Sequence, residues 1–112
     1  MALRIAQVAP GRTAFPGYLD DVAGLCALKR GDGAGAERRF RHALEVYSTT
    51  LPANHTSFGT VRRDLASALQ MEGRLDEARA AANEAVRIFS QNMDTGNPVL
   101  DEARQFAAQF AR

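Results

Sequence analysis

The chain has 112 residues, 46% of them hydrophobic, with a net charge of +1 and a single cysteine, Cys26. That length makes one domain able to bury a core without staples, and one cysteine excludes a disulfide framework within the chain. A charge this close to neutral supplies no field for a polyanion or an anionic membrane surface, and no run approaches the ~18 apolar residues that a membrane span needs. Residues 1–12 contain Arg4 and Arg12 but no apolar block long enough for a secretory signal, so the expected location is the cytoplasm.

Residues 1–8 precede Pro10-Gly11 and admit two readings, the last turns of a helix or a disordered N-terminus. The first good helix runs over 17–30, with Leu19, Val22, Ala23, Cys26 and Ala27 as its inner stripe. Cys26 on that stripe predicts a buried, inert thiol, since no motif places a base beside it. Asp20 and Asp21, near the helix start, complement its dipole. Gly31-Asp-Gly-Ala-Gly35 is a turn in which Asp32 caps a second helix over 33–48. Gly33 and Gly35 weaken its first turn by about 1 kcal/mol each against Ala. Glu37 and Arg41 form a favourable i,i+4 pair.

Leu51-Pro-Ala-Asn-His55 forms a loop before a third helix at 57–72, with Val61, Leu65, Ala68 and Leu69 inward. Gly73 ends it. The fourth helix, 75–92, sets Leu75, Ala78, Ala82, Ala85 and Phe89 on one face at steps of three and four. Most of these are small, so whatever packs there comes close. Asp76 and Glu77 suit its first turn. After the loop at 94–97, Asn97 is an N-cap and Pro98 a first helical residue. The last helix, 98–111, carries Ala103, Phe106, Ala107 and Phe110 on one side.

The second and fourth helices match at an offset of 42 residues. Gly73 falls on Gly31, Ala78 on Ala36, Ala85 on Ala43, Phe89 on Tyr47 and Ser90 on Ser48; Gly59 falls on Gly17. The apolar steps repeat as Gly33, Ala36, Phe40, Ala43 and Tyr47. The matches sit at the turn glycine and on the packed face, where choice is most restricted. At the same offset residues 1–8 fall on the end of the second helix, with Ala2 on Leu44 and Ile5 on Tyr47.

Gly73-Arg-Leu-Asp-Glu-Ala78, then Ala85, then an aromatic end resembles the second helix of a tetratricopeptide repeat, and Gly24, Ala66 and Ala108 are the small residues before each turn. The 42-residue period resembles the longer variant found in kinesin light chains and many bacterial proteins. Its Gly-x-x-His-Pro loop is half kept at each site, as His55 in one and Pro98 in the other. Gly33, where a large apolar residue is usual, and the missing aromatic near each repeat start depart from the pattern. Lys29 is the sole lysine among 14 basic residues, and with abundant alanine this points to a high-GC bacterial genome.

The resemblance implies an all-α solenoid of antiparallel helix pairs, with repeats at about 17–58 and 59–97 and a closing helix at 98–111. It also implies a non-catalytic module that binds a protein or peptide on the concave side, lined by the first helix of each pair. The residues expected there stack in columns: Tyr18, Thr60 and Glu102; Asp21, Arg63 and Gln105; Leu25, Ser67 and Gln109; with Gln70 extending the surface. They form a mixed polar groove unlike the Lys/Asn clamp that grips chaperone C-termini, and a plain solvated helix face is the alternative reading.

Chemistry candidates are few. His42 and His55 lack a second ligand at metal spacing, and the glycine-rich turn at 31–35 follows no strand and lacks a P-loop lysine. Neither catalysis, cofactor nor metal is expected. A nucleic-acid or regulator-associated helical domain is the alternative function, supported only by Arg30, Arg38, Arg39 and Arg41 and opposed by the net charge. Phe106 and Phe110, with no following helix to cover them, suggest a dimer through the C-terminal end; the alternative is that both rings tuck against Val86 and Phe89.

Overall fold

The computed structural model describes residues 13–111. Five helices follow one another: α1 Phe15–Lys29, α2 Gly33–Thr50, α3 Thr56–Met71, α4 Leu75–Asn92 and α5 Pro98–Ala108. No strand occurs among the described residues. Each expected helix is present with ends shifted by a few residues. The largest difference is at α5, which stops at Ala108, after which Gln109 and Phe110 form a turn.

The local signals explain where the chain bends. Gly31 and Gly73 take φ of +79° and +78°, a region that side chains with a Cβ avoid. At each, the amide three residues beyond the helix returns to a carbonyl of the last turn: Asp32 N to Ala27 O and Arg74 N to Leu69 O, both 2.9 Å. Asp32 then caps α2, its carboxylate accepting from Gly35 N at 2.8 Å. The two longer loops also match at the 42-residue offset, with Asn54 and Gly96 at φ of 67° and 96°. The next residues, His55 and Asn97, accept through their side chains from the amides of Ser57 and Val99 at 3.0 and 2.9 Å. Thr13, one residue ahead of the α1 N-cap Ala14, accepts from Phe15 N at 3.3 Å, so the same i to i+2 bond recurs at three positions 42 residues apart.

Packing is a matter of rings over small residues. A Cβ on Gly17 would lie 2.6 Å from the Tyr47 ring, one on Gly24 2.4 Å from Phe40, and one on Gly59 2.7 Å from Phe89. Contacts that run from the start of α1 to the end of α2, and from mid-α1 to mid-α2, make the pair antiparallel; α3 and α4 repeat it. Phe40, Ala36, Ala43, Ala78 and Ala85 are all 0% exposed. Gly33 is explained too: a Cβ there would meet Glu72, Met71 and the Ala68 carbonyl at 3.1–3.3 Å, because α2 lies against the end of α3. A large residue at 33 would not fit. The helices stack in sequence, α2 on α3 and α5 on α4, with α1 also touching α3.

Three expectations are corrected. In α1 the buried residues are Gly17, Asp20, Asp21, Gly24 and Ala27, while Leu19, Val22 and Cys26 are exposed and Ala23 is half-buried. The closest helix–helix approach follows the glycines, not the larger apolar residues. Leu75 is exposed at the start of α4, since the chain leaves the turn before the helices meet. Phe106 and Phe110 are buried, 7% and 5% exposed, and their rings meet edge to face at 5.3 Å. They belong to the main core with Leu65, Leu69 and Ala78, so the end of the stack does not present them as a patch. Arg79 Nε also fixes the last turn by donating to the Phe110 carbonyl at 2.8 Å. Residues 1–8, the other open reading, lie outside the described residues.

Candidate partner-binding face

One side of the stack is formed by α1, α3 and α5, the first helices of successive pairs, and Arg63 of α3 is its central group. Its Nε and Nη2 reach both oxygens of Glu102 on α5 at 3.2 and 2.5 Å, and Nη1 donates to Ser67 Oγ at 2.9 Å. The guanidinium lies 3.9 Å over the Phe106 ring. This planar, fork-shaped cation therefore ties α3 to α5 through a paired carboxylate and an aromatic face. The hydrogen bond from Arg63 holds the Glu102 carboxyl below its usual range, with the Arg63 charge adding to it against some desolvation.

Beside it lies a carboxyl pair. Asp21 of α1 and Asp64 of α3 are both buried, 8% and 9% exposed. Burial first, then the hydrogen bond and charge of Asp21, push Asp64 up to about 8. Burial raises Asp21 as well, opposed by its hydrogen bond to Asp64. Two carboxylates this close cannot both ionise cheaply, so the pair shares a proton near neutral pH. Asp21 Oδ1 is buried without a hydrogen-bond partner. Asp64 interrupts the Val61, Leu65, Ala68 stripe, a polar residue on a core face, and that was the sequence signal for this pair.

The expected face residues are distributed as follows. Tyr18, Leu25, Thr60, Gln70, Glu102, Gln105 and Gln109 are exposed, Arg63 and Ser67 are half-buried, and Asp21 is buried. Asp21 is thus part of the floor. Glu102 and Ser67 are gathered around Arg63, whereas the glutamines stand free of hydrogen bonds among the described side chains. Tyr18 stacks on Phe15 with ring centroids 6.3 Å apart.

The opposite side is largely ion-paired. Asp20 receives Arg39 Nη1 at 3.2 Å and also engages His42 Nδ1. That hydrogen bond, reinforced by the Asp20 charge, raises the His42 pKa. Arg41 Nε meets Glu37 at 2.7 Å, and Arg74 Nη1, from the turn ahead of α4, meets the other oxygen of Glu37 at 2.7 Å. His55 is a helix cap. Among the described residues, no three His, Cys, Asp or Glu side chains gather as a metal set. No described helix is long and apolar enough to cross a membrane.

Comparison with known proteins agrees with this geometry. The tetratricopeptide repeat family model matches residues 20–91, well over half of the chain, and the chain belongs to that family. No match was found among curated proteins or among solved structures. Repeats of this family are generally protein–protein interaction modules.

Proposed function

We propose that this chain is a non-catalytic, cytoplasmic module of a bacterial cell that binds a peptide or protein on the face of α1, α3 and α5. The period of 42 residues and the half-kept loop motifs support its placement with the kinesin-light-chain-like variant of the family. The observation that carries the binding reading is the contrast within one face. Arg63, Phe106 and the Asp21–Asp64 pair form a floor, with the exposed Glu102 tied to Arg63, while Tyr18, Leu25, Thr60, Gln70, Gln105 and Gln109 stand above it exposed. A rigid floor under adaptable polar side chains and one aromatic ring suits an extended peptide, whose backbone amides pair with the glutamines and whose apolar side chains meet Tyr18 and Leu25.

A nucleic-acid role has less support. Of the four arginines that suggested it, Arg39 and Arg41 are engaged by Asp20 and Glu37. What remains is too little positive charge for a phosphate backbone.

The test uses a peptide display library against the immobilised chain. Tyr18→Ala, Gln70→Ala and Gln105→Ala together are expected to weaken the selected ligand roughly tenfold with little change in Tm, since a few exposed anchors carry most of the energy. Asn83→Ala, on the exposed side of α4, should leave binding intact. Loss of binding with Asn83→Ala but not with the triple variant would contradict the reading.

A further inference from the structure

The two complete helix pairs are equivalent position by position, yet one face is closed in the second and open in the first. At the 42-residue offset Gly17, Gly24 and Ala27 of α1 correspond to Gly59, Ala66 and Leu69 of α3, and all six are buried. Leu19, Ala23 and Cys26 correspond to Val61, Leu65 and Ala68. The α3 residues are 1%, 2% and 0% exposed, whereas Leu19 is 49% exposed, Ala23 is half-buried and Cys26 is exposed. What α3 has and α1 lacks among the described residues is a preceding helix. α2 lies there, its first residue, Gly33, close against the Ala68 carbonyl and its Tyr47 ring edge-on to Phe58 at 6.0 Å. The open face is therefore shaped as the seat of a helix.

Its charge says what kind. The groove at the Cys26 end is lined by Ala23, Cys26, Arg30, Arg38 and Arg39. Asp32 also borders this groove and keeps its charge while accepting from Gly35 N, but it forms no ion pair; Arg39 is held by Asp20, and Arg30 and Arg38 have no ion pair among the described residues. In the second pair the position of Arg30 is held by Glu72, which meets Arg74 at 3.4 Å within the closed junction. Residues 1–12 contain neither Asp nor Glu. They do not answer the two arginines.

We propose that the open face of α1, formed by Leu19, Ala23 and Cys26 and bordered by Arg30 and Arg38, docks an acidic amphipathic helix of a partner protein in the position that α2 holds on α3. The apolar stripe of that helix covers Leu19 and Ala23, and its carboxylates meet the arginines. This surface lies on the outer side of α1, the first described helix, and is independent of the peptide reading for the α1–α3–α5 face.

Cys26 reports on the seat directly. The probes are two synthetic amphipathic helices with one leucine/alanine stripe, one flanked by Glu and the other by Lys, mixed with the full chain while Cys26 is alkylated by a maleimide. The Glu helix is expected to slow alkylation roughly tenfold, less at high salt, and the Lys helix to have little effect. Arg38→Glu should exchange the two preferences, and Leu19→Asp should abolish protection by either. Several results overturn the proposal: no protection by the Glu helix, equal protection by random duplex DNA, protection in the chain alone at all dilutions (its own N-terminal residues), or protection that grows with chain concentration alone (a second copy).

Discussion

Asp64 is the residue whose environment most departs from its solvent value, and that departure has a direction in pH. Its carboxyl lies at about 8 in the folded chain against a model-peptide value of 3.8, so the folded state holds its proton more tightly than the unfolded one. The neutral form therefore favours folding below about pH 4, and that contribution falls away as pH climbs to about 8. Surface carboxylates held low by arginines, the exposed Glu102 and the half-buried Glu84, act in the opposite sense only in acid. We expect Asp64→Asn to reduce the decline between pH 4 and 8, leaving the smaller part that the burial of Asp21 contributes, as read by denaturant midpoints of both proteins across that range. Parallel curves for wild type and variant would show that the pair does not share a proton. The small residues give a second expectation. Ala85 is 0% exposed, and Ala85→Leu should overpack α4 against its neighbours and destabilise by roughly 1–3 kcal/mol. An unchanged denaturation midpoint would mean that α4 yields to the larger side chain.

At the scale of the element, helices were legible where one face alone was apolar. In α4 and α2 the alternating steps of three and four picked out buried residues correctly from Ala78 to Phe89 and from Gly33 to Tyr47. The caps at Asp32 and Asn97 and the glycine ends also follow from local chemistry that needs no tertiary context. α1 misled because it is apolar on two sides. Gly17 and Gly24, which sequence periodicity undervalues, are the ones that meet α2, and the larger Leu19 and Val22 face away. α5 misled for the opposite reason: two rings four residues apart look exposed when no later helix follows, but Arg63 stacks on one and both enter the core. Phe110→Ala is accordingly expected to cost about 3 kcal/mol of stability without altering the sedimentation coefficient. A wild-type dimer that this substitution dissociates would restore the terminal interface.

At the scale of the molecule, the two long sides of the stack differ in how their charges are paired. The side carrying α2 and α4 is closed by ion pairs between neighbours, Glu37 with Arg41 and Arg74, Arg87 with Glu84, pairs that in water contribute little and offer a partner little. The side carrying α1, α3 and α5 has its charges locked in the floor and its amides free above. The columns expected on that side come from the 42-residue offset, which aligns like positions of helices that repeat at a fixed interval. Two features could not be read so. Asp21 joins the floor only because α1 touches α3, and the Arg63–Phe106 stack depends on how far α5 turns toward α3. Both are consequences of packing between elements distant in sequence. The partner is expected to lie along the first helices. Amide-resolved NMR of the chain titrated with its selected peptide tests this directly. The predicted result is that shifts gather on α1, α3 and α5 around Tyr18, Thr60, Gln70 and Gln105; shifts gathered instead on α2 and α4 would contradict it.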